Sequence, residues 1–263
     1  MNDFIICGYC GADNPDTRKR CRACNEPLNA PAISTASSGG SSRQVERTSP
    51  IDENAVCDLI DRMTDATVFI TCLSFESGNT GTGFFMKHEG ETYLVTNFHV
   101  IEEAAKGGFV LVRFSETINK RQDNFRAMIL NVDPINDLAL LEVQCPIPSK
   151  INPLELADLD TLRNGQDVIA VGSPREFRFT SIRGCIAQSN LQNEGIQMSP
   201  ILCSLNAAPG NSGGAVVRVS DSRVIGVATM IVKPEHIQSH TVCVSADAVR
   251  QLIFMHKRAG KRG

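Results

Sequence analysis

Three short segments of this chain carry side chains that together could perform acyl transfer. Thr96-Asn-Phe-His99-Val-Ile101 offers an imidazole, and Asn136-Asp137-Leu-Ala-Leu-Leu141 offers a carboxylate directly before an apolar run. Ala208-Pro-Gly-Asn-Ser212-Gly-Gly214 offers a hydroxyl among glycines. Singly, each has an ordinary reading. A histidine beside a strand is a core or surface residue, an Asp before a strand closes a turn, and Gly-Asn-Ser-Gly-Gly is a loop, because Gly and Asn tolerate positive φ. Together they meet a chemical requirement. A serine hydroxyl is a weak nucleophile until a base takes its proton, and the base needs an acid to fix its tautomer and stabilise the imidazolium. The chain supplies one of each, in the order His99, Asp137, Ser212, each at the edge of a strand. The glycines let the backbone bend so that the amides of Gly210 and Ser212 aim at one point, an oxyanion hole.

A second donor set stands at the N-terminus. Cys7-x2-Cys10-x10-Cys21-x2-Cys24 has the two-knuckle spacing of a structural zinc site. Four thiolates close a tetrahedron and leave no position for water. A module this small has no core, so the metal would supply its folding energy. The competing reading is a pair of disulfides, which a reducing compartment disfavours. The segment is similar to the short zinc ribbons at the ends of many bacterial proteins, with docking or sensing as the expected role. The other six cysteines, at positions 57, 72, 145, 185, 203 and 243, are scattered singly and read as small buried apolar residues. The first residues hold neither a basic stretch nor a long apolar one, so a cytoplasmic protein is expected. A net charge of −3 argues against nucleic acid as a partner. No apolar run approaches the ~20 residues of a membrane span, so no membrane association is expected.

These groups need a scaffold. Residues 1–28 form the ribbon, and residues 29–52, rich in Ser, Gly and Ala, form a flexible linker that cannot bury a core. Residues 53–258 are the main domain and 259–263 a basic tail. Short β-branched segments recur at 67–72, 92–96, 109–114, 125–130, 138–143, 167–171, 182–187, 215–219, 224–228 and 241–244. Helices are expected at 54–62 and after Ser245, where Val249, Leu252, Ile253 and His256 share one face. So many strands with helices only near the ends predict a mostly β protein, a sandwich or barrels.

Gly81-Thr-Gly-Phe-Phe followed by Tyr93-Leu-Val-Thr-Asn-Phe-His99-Val-Ile resembles the first-barrel signature of the trypsin-like serine proteases, specifically their HtrA/DegP-like branch. Asp137-Leu-Ala-Leu-Leu-Glu-Val, Gly165 to Pro174, Pro209-Gly-Asn-Ser-Gly-Gly214, Val224-Ile-Gly-Val-Ala and Val244-Ser-Ala-Asp-Ala-Val-Arg resemble that family's later segments, in order. The resemblance implies two six-stranded antiparallel β-barrels with a C-terminal helix, and serine endopeptidase activity on protein or peptide substrates. It assigns His99, Asp137 and Ser212 to the triad and Gly210 and Ser212 to the oxyanion hole. Asp133 competes with Asp137, but Asp133-Pro134 reads as a turn.

The resemblance also implies a substrate pocket. Asn206 stands six residues before Ser212, where cleavage after Lys or Arg would need an acid. Thr229, Met230 and Ile231 are expected on the pocket's side, and the branched Ile231 would make it shallow and apolar, for Val, Ala or Thr. Catalysis needs no cofactor; zinc is expected only in the ribbon, which would carry a protein partner of its own. A second reading, a latent protease-fold binding protein recruited through its ribbon, has no use for an intact triad.

Overall fold

The computed structural model describes residues 4–6, 13–15, 19–20, 28, 52–74, 77–174, 177–191, 199–229 and 240–260. The chain divides into two compact units, Met1–Ser49 and Pro50–Gly263. In the first, strands β1 (Phe4–Ile6) and β2 (Asp13–Pro15) pair antiparallel. Cys7, Cys10, Cys21 and Cys24, and residues 29–51 of the expected linker, lie outside the described residues.

The second unit opens with α1 (Glu53–Ala66), started by the Asp52 carboxylate, which accepts from the Asn54 amide. Six strands follow, interrupted by one helix: β3 (Thr67–Leu73), β4 (Gly78–His88), β5 (Glu91–Thr96), α2 (Phe98–Ala105), β6 (Phe109–Phe114), β7 (Phe125–Asp133) and β8 (Leu138–Val143). They pair in the ring β3-β6-β7-β8-β5-β4, closed by β3 against β4, with the short β9 (Leu154–Glu155) added in parallel to β4. Six more strands form a second closed barrel: β10 (Asp167–Gly172), β11 (Thr180–Gln188), β12 (Ile201–Cys203), β13 (Ala215–Arg218), β14 (Arg223–Thr229) and β15 (Thr241–Ser245), in the order β10-β11-β12-β15-β14-β13. The helix α3 (Ala246–Gly260) closes the unit.

Two strands show why the apolar runs are continuous rather than alternating. In β8, Ala139 and Leu141 fill the first barrel, while Leu138 and Leu140 join a second core shared with Ile169 and Val171 of β10 and with α1 and α3. In β10, Val168 and Ala170 fill the second barrel. A strand buried on both faces has no position for a polar side chain. The cores of the barrels and the layer between them thus fix the ends of β5, β8 and β13, where the chemistry stands.

Some expectations are corrected. The segment at His99 is not the end of a strand but the first turn of α2, and β4 and β12 add two strands that the apolar pattern does not announce. Cys72, Cys203 and Cys243 are buried and Cys145 and Cys185 half-buried, but Cys57 is exposed on α1; these six are free thiols. Helix α3 runs to Gly260, and Lys257 reaches back to Glu89 and Glu91, 2.9 and 2.8 Å.

Candidate active site

Asp137 is prepared by a tight turn. The Asp133 carboxylate accepts from the amides of Ile135 and Asn136, both at 3.1 Å, and from the Asn136 side chain at 2.7 Å. This occupies Asp133 as a turn former and delivers Asp137 to the start of β8 with φ of 54°. A non-glycine residue in that region is strained by about 1–3 kcal/mol, so its surroundings must hold it. The Asn97 side chain does so by donating to the Asp137 carbonyl, 2.8 Å.

The buried Asp137 carboxylate gathers three donors. Oδ1 accepts from the His99 amide at 2.9 Å, while Oδ2 lies 2.7 Å from His99 Nδ1 and accepts from the Thr229 hydroxyl at 2.7 Å. An ionised carboxylate can only accept, so Nδ1 carries the proton, and the neutral ring keeps its lone pair on Nε2. Two contacts to one histidine, through backbone and ring, fix position and tautomer together. The imidazole side chain is 40% exposed against 11% for the Asp137 side chain, so the base faces solvent and its anchor does not.

The Ser212 loop is shaped by backbone. Ala208 to Asn211 make a type II turn with Pro209 and Gly210 at its centre, closed by the Asn211 amide on the Ala208 carbonyl at 3.0 Å. Gly210 sits at φ of 104°, as the third position of that turn requires. Gly213, at φ of 88°, has no room for a side chain: a Cβ there would lie 2.0 Å from the Thr82 carbonyl and 3.1 Å from the Asn97 amide. This close approach brings the loop against the segment that carries His99. Asn211, Gly213 and Gly214 donate their amides within the second barrel. Among the described residues the amides of Gly210 and Ser212 meet no acceptor. No hydrogen bond joins His99 to the Ser212 hydroxyl among those residues, a contact that tightens with substrate in sites of this chemistry.

The expected pocket residues divide. Asn206 is exposed, and the segment before it is tied down by the Thr241 hydroxyl on the Leu205 carbonyl, 2.7 Å. Met230 and Ile231 lie outside the described residues. The side chain of Thr229 is buried and spends its hydroxyl on Asp137. Sequence reasoning misses its part in the acid–base pair because the contact spans 92 residues of chain. The only local signal is a hydroxyl closing an otherwise apolar strand.

Comparison with known proteins bears on the fold and the family. The model of the trypsin-like peptidase domain family matches residues 81–227, more than half of the chain. The chain is 34% identical over 145 residues to the periplasmic pH-dependent serine endoprotease DegQ of Escherichia coli, covering 54% of this chain and 29% of that one. It is 31% identical over 224 residues to the mitochondrial serine protease HTRA2 of Bos taurus, covering 80% and 44%. The chain therefore spans less than half the length of either relative. The fold matches the crystal structure of Deg5 with a TM-score of 0.61 at 23% identity, over 76% of this chain and 92% of that one. These relatives overturn one expectation: DegQ is a periplasmic protein and HTRA2 a mitochondrial one, so the cytoplasmic placement is withdrawn. The matched span contains both barrels' candidate groups, His99, Asp137 and Ser212, and the chain belongs to the family of trypsin-like peptidase domains, with HtrA- and DegP-type proteases among its relatives.

Proposed function

We propose that this chain is a serine endopeptidase in which Ser212 attacks the scissile carbonyl, His99 is the general base and Asp137 holds the base. The observation that carries this reading is the Asp137 carboxylate, buried and bonded at once to the His99 amide and the His99 ring. That arrangement leaves Nε2 as the proton acceptor. As Ser212 Oγ bonds to the substrate carbon, its proton passes to Nε2, and the imidazolium then protonates the departing amine. Asp137 stays ionised and stabilises the cation. The amides of Gly210 and Ser212, which meet no acceptor among the described residues, would face the charge that develops on the carbonyl oxygen, a contribution of roughly 2.7–4 kcal/mol per donor in sites of this type. Water then releases the acyl group by the same steps in reverse roles.

Substrates would be protein segments with a small apolar residue before the cut. Asn206 offers no carboxylate to a Lys or Arg, and a branched Ile231 would fill the depth of the pocket. The Cys7, Cys10, Cys21 and Cys24 set fits a structural zinc ion by donor type and number, with all four positions taken, so the ribbon recruits or senses rather than catalyses. The test is cleavage of a peptide library by wild type, Ser212→Ala and His99→Ala. Cuts after Val, Ala or Thr that vanish in both variants are expected. Full hydrolysis by Ser212→Ala ends the reading, and dominant cleavage after Arg ends the pocket assignment.

A further inference from the structure

The amides proposed to bind the oxyanion belong to a loop whose central glycine has no side chain to hold its plane, so something outside the loop must orient it. Thr82 is placed to do this. It lies on β4 of the first barrel, between Gly81 and Gly83, and is fully buried. Its amide donates to the Ser212 carbonyl at 2.9 Å, and its hydroxyl donates to the Gly210 carbonyl at 2.7 Å. The same hydroxyl accepts from the Ser173 amide at 3.0 Å, and the Thr82 carbonyl accepts from the Thr96 hydroxyl at 2.7 Å. Every polar group of the residue is engaged. Its two targets in the loop are the carbonyls of the residues whose amides meet no acceptor among the described residues.

We infer that Thr82 is a positioning residue: a first-barrel side chain that clamps the second barrel's nucleophile loop with the Gly210 and Ser212 amides turned outward. The Gly210 carbonyl and the Asn211 amide share one rigid peptide plane, so Thr82 on the carbonyl and the Ala208 carbonyl on the amide pin that plane at both edges, between the two amides at issue. The type of side chain follows from the geometry. One atom must donate to Gly210 and accept from Ser173, which a hydroxyl can do and a methyl cannot. Neither bond touches substrate, so Thr82 acts through the loop. This inference rests on Ser212 being the nucleophile.

The experiment compares the full chain with Thr82→Val, which keeps shape and loses both hydroxyl bonds, and Thr82→Ser, which keeps them. Three readings are taken: kcat and KM on a peptide that the wild type cleaves, the affinity of a peptide boronic acid that adds to the serine, and the amide resonances of residues 208–214. Thr82→Val is expected to lower kcat about 10- to 100-fold at unchanged KM, to weaken the boronate by a similar factor and to shift the Gly210 and Ser212 amides. Thr82→Ser should restore all three to within about threefold. Should Thr82→Val not fold, Thr82→Ala replaces it with the same expectations. Unmoved loop amides in the variant lacking the hydroxyl overturn the clamp whatever the activity. An inert wild type whose loop amides still depend on Thr82 overturns the peptidase reading and leaves the clamp standing.

Discussion

The two barrels contribute to the site in different ways. The first supplies side chains: His99 and Asp137 are joined by two hydrogen bonds, and Asn97 braces the strained Asp137 backbone. The second supplies mostly backbone. Its loop is a Pro-Gly turn, a glycine too close to Thr82 for any Cβ, and three amides, of Asn211, Gly213 and Gly214, spent on backbone carbonyls. A half built from side chains fails by losing chemistry while keeping its shape. A half built from backbone fails by losing its shape. Each half also borrows from the other, since Thr229 of the second barrel holds Asp137 and Thr82 of the first holds the Ser212 loop.

The sharpest break in the comparison removes chemistry alone. Ser212→Ala or His99→Ala should cut kcat by about 10⁶-fold, and Asp137→Asn by about 10⁴-fold through the wrong tautomer, each with an unchanged melting curve. On the backbone side, Gly213→Ala forces a Cβ onto the Thr82 carbonyl at a positive φ. It should lower unfolding free energy by about 3–5 kcal/mol in a urea titration, or prevent folding. Wild-type stability there would show that the loop has slack and that the contrast between the halves is false.

A smaller effect probes the borrowed contact. Thr229→Val removes one of three donors to Asp137 while keeping shape, and should reduce kcat about 10- to 100-fold at similar KM, the range expected for a hydrogen bond to a buried charge. An unaltered kcat would return Thr229 to a purely structural place in β14.

The smallest effect lies away from the site. Hydrogen bonds from Lys257 hold the Glu89 and Glu91 carboxyls below their ordinary value of 4.5, and the two carboxylates raise the Lys257 ammonium. Acids with a depressed folded pKa stabilise the fold above their ordinary value and lose that contribution as pH falls through the depressed range. The pair is exposed, so Lys257→Met should shift the melting temperature by only a degree or two at pH 7 and by nothing once both acids are protonated. A shift that grows on acidification contradicts this.

Much of the fold and of the acid–base pair is legible in the order of residues. The apolar runs of β8 and β10 announce strands buried on both faces, and Pro134 marks Asp133 as a turn former, which leaves Asp137 as the candidate acid. The misses have physical causes. Strand β4 carries Gly78, Gly81 and Gly83, which depress strand propensity, and it exists because β3 and β5 pair with it along its length. Helix α2 is two turns long, and only Asn97 separates its start at Phe98 from the end of β5 at Thr96. The directions of the Thr229 and Thr82 hydroxyls are set by contacts between the barrels, which no local pattern records.

The central claim is that His99 and Asp137 activate Ser212 in the folded chain. A serine-directed fluorophosphonate tests it without any assumption about substrate, with the modified residue located by mass spectrometry. The account predicts one adduct per chain, on Ser212, absent in Ser212→Ala and formed far more slowly in Asp137→Asn. A folded wild type that takes no adduct at Ser212, or labels as fast in Ser212→Ala, contradicts it.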